Sequence, residues 1–155
     1  MITLRRAIPA DCEQIARLHE ASIRGLGITS YTPEQVDSWA SHLTPERYLP
    51  AIEHNDFLLA ITKDEVVVGF GELNGDEIAA VYISPTHARR GVGRMLTEEL
   101  LRLARERGIE HLHLNASMNG VPFYEAMGFT AIESTTWHSR GGLDMPCLRM
   151  GKRLR

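Results

Sequence analysis

The chain has 155 residues, 43% of them hydrophobic and 24% charged, with a formal net charge of −3 at pH 7. That length suits one domain with a substantial core, not two, and the composition excludes disordered, fibrous and collagen-like classes. So mild a charge gives no overall drive toward nucleic acid or an anionic membrane, and neither partner is expected. Cys12 and Cys147 belong to no Cys-x-x-Cys spacing and read as buried thiols rather than a zinc site or disulfide framework. No apolar segment follows the basic start, and no run is long enough to cross a bilayer, so a cytoplasmic location is expected.

In chain order, residues 3–7 read as a strand. Pro9-Ala10-Asp11 opens a helix with Ile15, Leu18 and Ile23 among its apolar positions, and Gly25 and Gly27 are expected to end it. Thr32-Pro33-Glu34-Gln35 predicts a second helix, because Thr32 can cap, Pro33 suits the first turn and Gln35 completes a capping box. Thr44-Pro45-Glu46 repeats the signal before Pro50 limits the segment. Strands are then expected over 57–62, 66–73 and 77–84, joined at Lys63-Asp64-Glu65 and at Asn74-Gly75 into an antiparallel meander. From 92 to 107, Val92, Met95, Leu96, Leu100 and Leu103 fall at helical spacing, with Glu98 and Arg102 paired on the wet side and Gly108 as the stop. A strand over 111–115, a short helix over 121–127 and strands over 129–138 and 145–150 complete the chain. No repeat or linker interrupts it, so residues 1–155 are expected to form a single domain of the α/β (α+β) class. Its three layers would be a mixed, mostly antiparallel sheet flanked by helices.

The most informative stretch is Val81-Tyr82-Ile83-Ser84-Pro85-Thr86-His87-Ala88-Arg89-Arg90-Gly91-Val92-Gly93-Arg94, where an apolar strand breaks at a proline and a glycine loop opens a helix. Without a Cβ, Gly91 and Gly93 let backbone amides approach an anion, and the helix N-terminus favours a phosphate there. Arg89, Arg90 and Arg94 add positive charge. Leu96 stands where a dinucleotide fingerprint needs its third glycine, and no Gly-Lys-Ser/Thr makes a P-loop. A second landmark lies downstream, Asn115-Ala116-Ser117-Met118-Asn119-Gly120-Val121-Pro122-Phe123-Tyr124-Glu125-Ala126-Met127-Gly128-Phe129.

The Arg-Arg-Gly-Val-Gly loop, followed by helix, strand and Phe-Tyr-Glu-x-x-Gly-Phe, resembles the GNAT superfamily of acetyl-coenzyme A dependent N-acetyltransferases in order and spacing. The resemblance covers residues 57–150, roughly, and is loose in the N-terminal third, where such enzymes build acceptor specificity. It implies acetyl-CoA as the acyl donor, no metal, and a small-molecule or peptide amine as acceptor. A homodimer whose second subunit completes the pocket is left open, as is a non-catalytic domain that only binds an acyl-CoA or phosphate ligand. The family commonly has Gln or Arg three residues before the first loop glycine; Ala88 here is expected to cost some affinity but not activity. By resemblance, the loop from Arg89 to Arg94, Val92 included, holds the pyrophosphate. Val81 and Ile83 pair with pantetheine, in a gap where the sheet splays, and either can offer a main-chain amide to the thioester carbonyl. Ser117 and Asn119 help close the coenzyme site.

Two side chains are the catalytic candidates. Tyr124 stands where the family places its tyrosine, and a phenol with a reference pKa of about 10 stays protonated at neutral pH yet can serve a departing thiolate. The plainer alternative is an aromatic packed between the short helix and the sheet. A primary ammonium is neutral in only about one molecule per thousand at pH 7, so a base helps. Glu72 is the candidate, on a strand face expected to carry Val66, Val68 and Phe70, unless Gly71 marks a bulge that reverses it. Tyr31, Trp39 and Tyr82 are candidate acceptor-pocket walls, with a core role favoured for Trp39. His111 and His113 share a strand face but find no third ligand at a metal spacing.

Overall fold

The computed structural model describes all residues, Met1–Arg155. Seven strands, β1 (Ile2–Arg6), β2 (Asp56–Thr62), β3 (Val67–Asn74), β4 (Glu77–Ile83), β5 (His111–Ser117), β6 (Thr130–His138) and β7 (Asp144–Arg153), form one sheet. Five helices accompany them: α1 (Cys12–Leu26), α2 (Pro33–Ala40), α3 (Leu49–His54), α4 (Val92–Glu106) and α5 (Val121–Ala126). The strand order is β1-β2-β3-β4-β5-β7-β6, antiparallel throughout except at β4 and β5. Those two run parallel and meet at one registered pair, Glu77 with His113, where the His113 amide donates to Asp76 O at 3.0 Å. Beyond that point no ladder joins them, and the sheet opens as a wedge. No helix is long and apolar enough to cross a membrane.

Interior strand β2, next to the edge strand β1, shows why the domain has three layers. Its residues are buried on both faces: Leu58 and Ala60 belong to the core under α4, with Leu96 and Leu100, while Phe57, Leu59 and Ile61 pack with Ile15 and Leu18 of α1. Such double burial needs a helix on each side. A third apolar cluster, containing Ile23, Tyr31, Trp39 and Met145, ties α1 and α2 to β7. Asp56, 4% exposed, receives Arg6 at 2.7 Å and Arg107 at 2.7 Å, which joins the sheet to the end of α4. The capping box at Thr32 and Gln35 forms as expected, with amide contacts of 3.1 and 3.0 Å.

Some expectations are corrected. Gly25 does not end α1; the helix runs to Leu26 and Gly27 caps it. A Cβ on Gly25 would lie 2.6 Å from Pro85 Cγ, so the missing side chain lets α1 press against the segment that leads into the glycine loop. On α4, Glu98 pairs with Arg94, and Arg102 instead takes Glu99 and Glu106, the adjacent carboxylates on its own face. On β3, Ala60 pairs with Gly69 and Ile61 with Val67, so Val68 is an inserted residue. The bulge is therefore at Val68, not Gly71, and it turns Val68 toward α4 while Val67 and Phe70 face α1. Val66 lies outside the strand and is exposed.

Gly25→Val should destabilise the domain by about 1–3 kcal/mol in urea unfolding, because the rigid Pro85 ring cannot yield to the added methyls. A gain in stability, which helix propensity alone would give, would show that this approach is not tight.

Candidate active site

The wedge between β4 and β5 is one cavity of about 1210 Å³. Its first end is the loop before α4, where Ala88, Arg89, Gly91, Gly93 and Arg94 form the wall. Gly91 caps α4 with φ of +82°, and a Cβ there would meet nothing within 4 Å, so the cap faces open space. Left-handed backbone also appears at Arg89, φ 61°. The result is a concave run of amides at a helix N-terminus, with guanidiniums beside it, suited to a phosphate group. Arg90 is exposed and does not line the cavity. Val92 puts its side chain into the core under α4 and has only its backbone at the helix start. Ser117 and Asn119 border the cavity at the end of β5, and Asn119 Oδ1 is buried with no hydrogen-bond partner.

The middle of the cavity is built from β4 and α5. Ser84 N donates to Val68 O at 2.8 Å. Amides alternate along an antiparallel strand, so those of Val81 and Ile83 turn away from β3 toward the open wedge. Tyr124, on α5, lines the same space. Burial pushes its phenol well above the usual tyrosine range, which keeps it protonated. Tyr31 and Tyr48 use their hydroxyls inside the protein, Tyr31 donating to Pro146 O (2.5 Å) and accepting from Met118 N (2.9 Å), and Tyr48 meeting His19 Nδ1 (2.8 Å). Tyr124 has no such partner. Tyr31 lies outside the cavity, whereas Trp39 and Tyr82 line it, Trp39 also packing in the core.

The far end holds Glu72. Two residues along the regular part of β3 from Phe70, Glu72 shares its α1 face, and Asn55 Nδ2 donates to its Oε2 at 2.7 Å. Burial pushes the Glu72 carboxyl up, with the Asn55 bond opposing. A carboxyl raised by burial is a stronger base than an exposed one, and the Asn55 bond fixes its orientation. The cavity thus brings together every residue anticipated as a site member except Arg90, Tyr31 and the Val92 side chain.

A family model described as an acetyltransferase (GNAT) domain matches residues 28–146. The chain belongs to the GNAT acetyltransferases. A solved GCN5-related N-acetyltransferase from Rhodopseudomonas palustris is 31% identical, with TM-score 0.91, over 97% of this chain and 94% of that one. The PaiA N-acetyltransferase of Thermoplasma acidophilum, solved with coenzyme A, shares the fold at 22% identity and TM-score 0.79, covering 99% of each chain. A peptidyl-lysine N-acetyltransferase, YjaB, of Salmonella typhimurium is 27% identical over 131 residues, 83% of this chain and 83% of its own. The chain is accordingly an acyl-CoA dependent N-acetyltransferase, and the anion cradle, open wedge and orphaned Asn119 oxygen fit such a coenzyme.

Several residues at the far end carry no motif in the sequence: His19, Arg47, Tyr48, Asn55 and Arg140. His19 has a legible signal, since it falls four residues after Ile15 and four before Ile23, on the buried stripe of α1. The others arrive from a turn, a short helix and the β6–β7 loop, where no periodicity marks them. Burial, with Arg140 and Arg47 nearby, lowers the His19 pKa to about 3.

A folded-state pKa that low means that below about 6.5 the unfolded chain binds a proton the folded chain refuses. Stability should therefore fall as pH drops from about 6.5 toward 3, with His19 adding up to roughly 1.4 kcal/mol per pH unit. Urea unfolding of the parent and His19→Gln from pH 7 to 4 checks this: the parent should decline more steeply, and parallel curves would show a solvated, ordinary imidazole.

Proposed function

We propose that the enzyme moves the acetyl group of acetyl-coenzyme A to a primary amine of a small molecule or peptide, by direct transfer while both are bound. The observation that carries this reading is the continuity of the cavity, from the amide cradle at Gly91, past Tyr124, to Glu72. The coenzyme supplies the acetyl group as an activated thioester. The amides from Arg89 to Arg94 and the α4 N-terminus would hold its pyrophosphate, with Val81 and Ile83 offering amides to its extended arm. One of those two amides would polarise the thioester carbonyl. Glu72 would take a proton from the acceptor ammonium, which frees the nitrogen lone pair to bond to the acetyl carbon. Tyr124 would give its proton to the sulfur as the carbon–sulfur bond breaks and recover one from the bonded nitrogen, so that thiol and amide leave and the proton held by Glu72 passes to solvent. The YjaB relative is named for a peptidyl-lysine acceptor, so a lysine peptide belongs in any panel of amines tested.

The test is thiol release from acetyl-coenzyme A with a panel of amines. Tyr124→Phe should keep the fold and coenzyme affinity while lowering kcat by about a hundredfold, because the ring still packs and only the hydroxyl is lost. Full turnover in that variant would return Tyr124 to packing. Glu72→Gln should reduce kcat/KM most near neutral pH, and the deficit should shrink as pH approaches about 10, where the acceptor amine sheds its own proton. A pH profile identical to the parent's would remove Glu72 from the proton path.

A further inference from the structure

Beyond Glu72, the acceptor end of the cavity holds two cations with no carboxylate in contact, although the Arg47 charge is felt at Glu72. Arg47 and Arg140 both line it, and no carboxylate lies within 4.0 Å of either, although most of the other ion-pairing arginines on the domain sit against acids at 3.0 Å or closer. Arg47 stands over the Tyr48 ring, 5.6 Å from its centroid, and donates no side-chain hydrogen bond. Arg140 is oriented by donating to Ser41 O at 2.9 Å and to Trp39 O. A guanidinium carries five N–H donors, so Arg140 retains three and Arg47 all of its own. Burial and the neighbouring Arg47 charge hold Arg140 below its ordinary value, as expected of two like charges left unneutralised.

His19 provides an independent observation. It is 7% exposed, it lines the cavity, and its Nε2 is buried with no partner. Its Nδ1 lies 2.8 Å from the Tyr48 hydroxyl. The bond can run in either sense; with the phenol as donor, hydrogen sits on Nε2, and that buried atom at the cavity wall is then a donor without an acceptor. Leaving a buried donor unsatisfied is costly, and an acceptor-bearing ligand would remove that cost. The walls between are aromatic, with the Tyr82 ring centroid 4.1 Å from that of His19 and Trp39 and Trp137 alongside.

We infer that the acceptor is a small primary amine that also carries an anionic group, a carboxylate or phosphonate, held by Arg47, Arg140 and His19 Nε2–H while its amine faces Glu72. This rests on the acetyl-transfer reading above and specifies its substrate class. One end of the site would take the anion and the other the amine, so a zwitterion matches both, whereas a polyamine meets two like charges at the far end. Bidentate pairing of guanidinium with a planar or tetrahedral oxyanion supplies the selectivity.

The experiment compares, for several side chains, an α-amino acid, its aminophosphonate analogue, its α-amide and its decarboxylated amine, together with a lysine peptide blocked at both termini. Thiol release should be at least about tenfold more efficient in kcat/KM for one of the two anionic members, and which one identifies the anion. Arg47→Glu, a change at an exposed position, should lower that value about ten- to a hundredfold and narrow the ratio of anionic to neutral rates, a readout in which any common effect on Glu72 cancels. Equal or better rates with amide, decarboxylated amine or peptide, or an unchanged preference in Arg47→Glu, would overturn the inference. If no amine releases thiol, the transfer reading fails, and calorimetry decides the present one separately. The anionic members should then bind the coenzyme A-saturated protein and lose affinity in Arg47→Glu; absence of binding by every member overturns it.

Discussion

The structure depends on a single break in the sheet. β4 and β5 are parallel neighbours held at Glu77 and His113 and nowhere further along, yet both continue, β4 to Ile83 and β5 to Ser117. β5 takes its other hydrogen bonds from β7, and β4 takes its own from β3, so each strand is secure on one side and open on the other. Open backbone amides inside a domain are expensive unless water or a ligand meets them. The wedge is therefore both a weakness in the ladder and a ready edge for an extended molecule to join, as in strand addition at other sheet edges. Tyr124, Glu72, Val81, Ile83 and the loop glycines all border this wedge or its continuation.

Charge is arranged along that cavity in a way the overall balance conceals. The net charge of −3 is spread over a surface rich in ion pairs, but the cavity walls carry Arg89 and Arg94 at one end and Arg47 and Arg140 at the other. Between them lie the protonated phenol of Tyr124 and the half-buried carboxyl of Glu72, both shifted upward by the same cause, loss of water. In the proposed reaction, such a site attracts anions at its ends and handles protons in its middle. The tight approach of Gly25 to Pro85 extends this economy to the scaffold, since the loop that leads to the cradle is braced directly by α1.

Much of this architecture is legible in the amino-acid sequence. The meander, the helix after Gly93, the capping box at Thr32 and the glycine cap are local signals, encoded within a few residues of where they act. The surroundings of Glu72 are encoded less simply. Strict alternation groups it with Val66 and Val68, but the inserted Val68 breaks the period and Val66 lies outside the strand, leaving Phe70 as the true neighbour. Ion pairs on α4 escape a spacing rule for a similar reason, because several carboxylates compete for Arg102 at equivalent spacing. The acceptor end is the least legible part. Arg47 and Arg140 are 93 residues apart in sequence, and only the closure of the sheet puts them on one cavity. His19 alone leaves a trace, as a polar residue on an apolar stripe.

That the acyl donor lies, and reacts, in the opening between β4 and β5 is tested most directly by a crystal structure of the protein with coenzyme A. The pyrophosphate should rest on the amides of Gly91, Val92 and Gly93, the extended arm along Val81 and Ile83, and the sulfur within hydrogen-bond reach of the Tyr124 hydroxyl. Coenzyme bound outside the wedge, or a sulfur remote from both Tyr124 and the path to Glu72, would contradict this arrangement.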